Sequence, residues 1–172
     1  MRAAASIVVL ATLAACAGPT RGAQQQRIEF AVEAVEDNIL ATDYSALVEI
    51  TDARAMDASP PDEANDGEAL VRIDYTAAVL ETYRGEALET IAFSRYAARH
   101  EALEDPSRGT WIVSLCRDLD GSYYLPGVGY ELPPHEAVLS VARQTTVRLD
   151  RGELPLRSNE GSYACLPDSA RR

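Results

Sequence analysis

The stretch V-R-I-D-Y-T-A-A-V-L-E-T-Y-R-G-E, residues 71–86, alternates Val71, Ile73 and Tyr75 with Arg72, Asp74 and Thr76, then reaches a turn at Gly85. A period of two with one apolar phase predicts a strand that buries one face. Upstream, S-A-L-V-E-I-T-D-A-R-A-M (45–56) puts Ala46, Val48 and Ile50 on one side of an extended chain, a second predicted strand. Downstream, E-T-I-A-F-S-R-Y (89–96) and G-T-W-I-V-S-L-C-R-D (109–118) predict two more. Asp120-Gly121 joins the last of these to S-Y-Y-L-P-G-V-G-Y (122–130). Asp-Gly between apolar runs predicts a tight hairpin, because glycine readily takes positive φ. Asp118 and Asp120 are therefore read as turn residues in preference to metal ligands.

Two segments carry helical patterns. R-I-E-F-A-V-E-A-V-E (27–36) fits both templates: Ile28, Phe30 and Val32 alternate, while Ile28, Val32, Val35 and Ile39 share one helical face. The reading favours a helix through Val35 to Thr42. Pro133 and Pro134 precede H-E-A-V-L-S-V-A-R-Q-T-T, in which Val138, Val141, Ala142 and Thr145 share a face. A short helix starting near the prolines is expected. S-Y-A-C-L (162–166) is read as a short strand returning Cys165 towards the fourth one. The expected fold class is mainly β with small helices, a small closed or partly closed β-barrel of the oligomer-binding type.

The strand order and the long polar loop after the first strand resemble the netrin-type module of tissue inhibitors of metalloproteinases and their bacterial relatives. The resemblance rests on the strands quoted above and covers roughly residues 46 to 125. It implies a netrin-like five-stranded barrel. Animal inhibitors of this family chelate the protease zinc through a free amino-terminal cysteine and are rich in disulfides. This chain has three cysteines, so only the barrel is carried over, not the inhibitory chemistry.

The amino-terminal stretch gives an address. One positive charge at Arg2, an apolar segment from Ala3 to Leu13, and the small pair Ala14-Ala15 follow signal-peptide order. Leu13-Ala14-Ala15-Cys16 resembles the lipobox of bacterial lipoproteins, which implies cleavage before Cys16 and acylation of that residue. An ordinary secretory signal with an incidental cysteine is the alternative. Each buried methylene contributes about 0.8 kcal/mol, so several acyl chains hold a protein at a membrane without a spanning helix. Ala17 is not the aspartate that often retains such proteins at the inner membrane, so the resemblance favours the periplasmic side of the outer membrane. Residues 1–15 are read as signal peptide, 16–26 as a flexible tether, and 27–172 as a single domain.

Composition narrows the chemistry. The 172 residues carry a net charge of −11, which disfavours nucleic acid as a partner. All 16 basic residues are arginine, so every mechanism needing a catalytic lysine is excluded. With Cys16 assigned to lipid, Cys116 and Cys165 remain, and in an oxidising compartment two leftover thiols most simply pair. Two separate buried thiols are the alternative. The loop from Asp57 to Glu68 holds two prolines and five acidic residues, but its spacing does not match an EF-hand, so no metal is assigned to it.

His100 and His135 are the two histidines, and neither belongs to H-E-x-x-H. No G-x-S-x-G elbow occurs. No catalytic residue, metal or cofactor is therefore assigned. Trp111, Tyr123, Tyr124 and Tyr130 cluster around the predicted hairpin and are the candidate binding surface, with core packing as the competing role. The expected function is a lipid-anchored envelope protein whose barrel binds an envelope protein or glycan without catalysis. A small periplasmic hydrolase whose site assembles only in three dimensions, and a structural envelope spacer, are the alternatives.

Overall fold

The computed structural model describes residues 21–57, 70–98, 108–155 and 165. The elements run α1 (Arg21–Ala41), β1 (Tyr44–Asp57), β2 (Leu70–Arg84), β3 (Thr90–Ala98), β4 (Gly109–Arg117), β5 (Tyr123–Tyr124), β6 (Glu131–Leu132) and α2 (Glu136–Asp150). β1, β2 and β3 form an antiparallel meander, and β1 also pairs antiparallel with β4. β5 joins β4 antiparallel and β3 parallel, which closes the ring β1-β2-β3-β5-β4. The chain is mainly β and its strands make a closed five-stranded barrel, the fold class expected from the succession of short strands. β6 lies on the same edge of β4 as β5, at Ile112 and Val113.

Closing five strands needs sharp local bends, and the β1–β2 pairing supplies them as bulges. β2 has one residue more than β1 at Leu80 and again at Tyr83, and β1 has one more at Thr51. Each bulge bends its strand and increases the twist. Each also shifts the phase of the side chains. Val71, Ile73, Tyr75 and Ala77 point into the barrel, whereas Tyr83, itself the extra residue of the second β2 bulge, belongs to the layer outside it.

The barrel interior is filled by Ala46, Val48 and Ile50, the four β2 residues just named, Ile91, Phe93, Val113 and Leu115, with Tyr44 and Leu125 at its margins. A second layer lies against the outside of the barrel. Ala31, Val35 and Ile39 of α1 and Val138 and Ala142 of α2 pack there with Tyr83, Ile112 and Leu132. β4 is sandwiched between the two layers, so residues 112–116 are all buried. A strand covered on both faces reads as a continuous apolar run instead of an alternation.

α1 is longer than the sequence reading proposed. It starts at Arg21, so residues 21–26, read as tether, are helical, and the helix precedes Val35 by fourteen residues. The strand template fails because Ala31, Val35 and Ile39, one turn apart, all meet the second layer. The glutamines at 24–26 are good helix formers and stay exposed. At the other end, the orphan carbonyls find partners. Thr42 Oγ1 donates to Asn38 O at 2.7 Å, and Arg84 Nη1 donates to Ile39 O and Leu40 O, both at 2.8 Å. A guanidinium there also suits the negative end of the helix dipole.

α2 begins after Pro133-Pro134 with His135 as its N-cap, whose Nδ1 accepts from Ala137 N–H at 3.3 Å. His135 is thus a helix cap. The expected turn at Asp120-Gly121 is present: Gly121 has φ +88°, and Asp120 Oδ1 accepts from both Ser122 N–H and Ser122 Oγ. Cys116 and Cys165 form a disulfide with a Cα–Cα distance of 5.2 Å. The signal peptide, Cys16, most of the acidic 57–68 loop, His100 and the neighbours of Cys165 in the expected return strand lie outside the described residues, and Cys165 itself is not in a strand.

An ionic clasp holds α2 to the barrel. Arg143 Nε and Nη2 donate to Glu81 Oε1 and Oε2 at 3.0 and 2.9 Å, and Tyr83 Oη donates to Glu81 Oε2 at 3.3 Å. Burial pushes the Tyr83 phenol well above its ordinary 10.0, reinforced by the charge of Glu81. Tyr44 is raised too, chiefly by burial. A phenol raised in the folded state stabilises the fold fully below its unfolded value, and that contribution is lost as pH rises. The urea midpoint should therefore fall as pH passes about 10. Tyr83→Phe should flatten that alkaline limb, and an unchanged limb would show that Tyr83 is not its source.

Candidate binding face

The structure scatters the four aromatics proposed as a binding surface. Trp111 is in phase with Val113 and Leu115, pairs with Val48 and packs half-buried on the barrel interior. Tyr123 lies 5.3 Å from the Tyr44 ring, centroid to centroid, with the Arg117 guanidinium 5.8 Å from its own centroid. Because Tyr123 pairs with Arg117, it sits six residues along β4 from Trp111, roughly 20 Å in an extended strand. Tyr130 is also half-buried on the interior. Tyr124 is corrected outright: only 7% exposed, it packs on Cys116 and Cys165 and offers no surface.

The sheet register instead assembles an exposed row on the outer face of β1, β2 and β3. Met56 pairs with Arg72, and Arg72 pairs with Tyr96, so the three stand side by side across the sheet. Met56 is 52% exposed and Tyr96 57%. In the adjacent row, Arg54, Asp74 and Ser94 are aligned in the same way. Arg72 Nε donates to Asp74 Oδ1 at 2.7 Å, and Arg54 Nε meets Asp52 Oδ2 at 2.7 Å. The Asp74 bond is the main cause that holds the Arg72 guanidinium above its ordinary value, with Tyr96 adding to it. The Asp118–Ser122 turn is within electrostatic reach. Hydrogen bonds from Ser122 lower the Asp120 carboxyl first, and Arg72 lowers it further.

This arrangement can bind. A tyrosine ring and a thioether flank a guanidinium oriented by Asp74, which combines flat contact area with directed N–H donors. Beside it, β1 pairs with β4 only as far as Ile50. From Thr51 to Asp57 the outer edge of β1 has no strand partner among the described residues, and charged Asp52 and Arg54 mark it. The sequence reading passed over Tyr96. Its signal was present: Ile91 and Phe93 fix the inward phase of β3, which places Tyr96 on the outer one.

A concavity of about 410 Å³ opens between the α1–β1 junction, the β2–β3 turn and the β4–β5 turn. Asp43, Gly85, Glu86, Arg117, Asp118 and Tyr123 line it. Gly85 has φ +96°, and a Cβ there would lie 2.7 Å from Tyr44 Cδ2, so the turn that shapes this cleft requires glycine. Asp43 Oδ2 accepts from Arg117 N–H at 2.8 Å. Among the described residues that line it, no nucleophile is paired with a base.

No family model and no curated protein matches this chain.

Proposed function

We propose that this is a lipid-anchored envelope protein whose barrel binds an envelope protein or glycan across the outer face of β1–β3, without catalysis. The observation that carries the binding role is the row Met56–Arg72–Tyr96, aromatic and apolar side chains left exposed around an oriented guanidinium. Exposed aromatic and arginine side chains are the residue types that dominate recognition surfaces. The Leu13-Ala14-Ala15-Cys16 motif supports the anchor and, with Ala17, the outer-membrane side. None of the described helices is long and apolar enough to cross a membrane. The three-stranded meander and the tight β4–β5 turn support kinship with netrin-like barrels.

Two measurements test the proposal. Mass spectrometry of protein from cells should find Cys16 acylated at the new amino terminus, and Cys16→Ser should release the protein from membranes. Immobilised barrel should retain one envelope component, and Tyr96→Ala should weaken that retention roughly tenfold or more. Retention unaffected by Tyr96→Ala would overturn the assigned face. Hydrolysis of a glycan or ester panel, lost on mutation of a residue in the Asp43 cleft, would favour the hydrolase instead.

A further inference from the structure

The strongest unassigned chemistry lies under the polar cleft. Cys116 Sγ, Cys165 Sγ and a carboxylate oxygen of Asp43 all lie within 4.8 Å of one another. Both cysteines are buried, whereas Asp43 is half-exposed and lines the cleft. Asp43 is held in place by its bond from Arg117 N–H, because it belongs to the short link between α1 and β1. With the disulfide formed, neither sulfur is a thiolate, and the trio cannot act as a ligand set.

Reduction changes that. We propose that the Cys116–Cys165 disulfide masks a metal site, and that the reduced chain binds one zinc-class divalent cation through the two thiolates and the Asp43 carboxylate. The step is a two-electron exchange. A dithiol reductant gives up two electrons and two protons, its own sulfurs join, and the S–S bond becomes two thiols. The cation then displaces both thiol protons, which leave to water.

Several features fit a cation. Thiolate sulfur with carboxylate oxygen is a zinc-type donor set, and three protein ligands leave a fourth position for water. The cleft gives solvent access to Asp43, and Glu86 and Asp118 on its wall add negative charge at the mouth. Of the local cations, Arg84 donates to Ile39 O and Leu40 O while its charge still interacts with Asp43, and Arg117 Nε donates to Gly121 O at 3.3 Å, so an incoming cation competes with Arg84 for the Asp43 charge. Cys165 Sγ lies 3.6 Å from Ala41 O, a contact that a reduced thiol converts into a donated bond, which helps to keep Cys165 in position without the disulfide.

The test uses the full chain carrying Cys16→Ser, so that only Cys116 and Cys165 supply thiols. Reduction is done with a phosphine, which takes oxygen from water and does not compete as a thiol ligand. Cobalt(II) added to the reduced protein should give a thiolate-to-metal charge-transfer band at one ion per chain, abolished by zinc. Protein left oxidised, and Cys165→Ser, should give none. Asp43→Asn should keep the band but weaken cobalt affinity roughly tenfold or more. Far-ultraviolet circular dichroism follows the barrel throughout. A folded reduced protein without the band overturns the proposal, as does a barrel that unfolds on reduction, or Asp43→Asn with unchanged affinity.

Discussion

Removing the cross-link, as Cys116→Ala together with Cys165→Ala, is expected to lower the unfolding free energy by about 4 kcal/mol. The bond spans 49 residues and ties the chain beyond α2 back to β4. In the chain-entropy account, a loop of that size restricts the unfolded ensemble by that amount. For a domain of this size the melting temperature should drop by roughly 10 °C. The loss is large beside a typical total stability of about 5–15 kcal/mol. Alanine is chosen over serine because both sites are buried and a hydroxyl would add a desolvation cost. Urea unfolding of the oxidised parent and the double variant checks the value. A difference below about 1 kcal/mol would mean that the reduced chain is already restrained in its unfolded state.

Ile112→Ala should be nearly as damaging, with an expected loss of about 2–5 kcal/mol. Ile112 is fully buried in the layer between β4 and the helices, in one cluster with Val35 and Ile39 of α1 and Val138 and Ala142 of α2. Shortening it opens a cavity where both helices dock, among Val35 and Ile39 of α1 and Val138 and the half-buried Leu139 of α2. Ile112→Val, which removes one methyl group, should cost about 0.5–1.5 kcal/mol. Leu119→Ala, at a position 84% exposed on the β4–β5 turn, should stay within about 0.5 kcal/mol. Hydrogen exchange adds a local readout. In Ile112→Ala the amides of α1 and α2 should lose more protection than those of β2 and β3. Equal loss everywhere would place the two layers in a single cooperative unit.

Residues 71–77 could be read correctly because one face of β2 meets the barrel interior and the other meets water, so burial imprints directly on the alternation. β4 could be recognised as a strand, but its side chains could not be assigned to faces. Trp111 to Cys116 sits between two apolar layers, and only the register with β1 shows that Trp111 points in and Ile112 points out. Tyr124 was misassigned for a related reason. It occupies the outer phase of β5, ordinarily the solvent side, and the disulfide covers that spot from a residue 41 positions further on. Long-range closure of this kind leaves no local trace. Pairing of Cys116 with Cys165 was legible because few cysteines leave few choices. The bulges at Leu80 and Tyr83 were not: no glycine or proline marks either position, and the extra residues follow from closing the ring.

The first residue of α1 to be fully buried is Ala31, and the ten residues before it, of which Ile28 is half-buried and Phe30 lies beside Gly129, form a helical rod of roughly 15 Å at 1.5 Å per residue. Random coil of the same length would let a tethered globule sag onto its support and sample every tilt. A rod cannot shorten. Under the proposed anchorage it is a stiff segment between the acylated residue and the barrel, which limits how far the recognition face collapses onto the lipid.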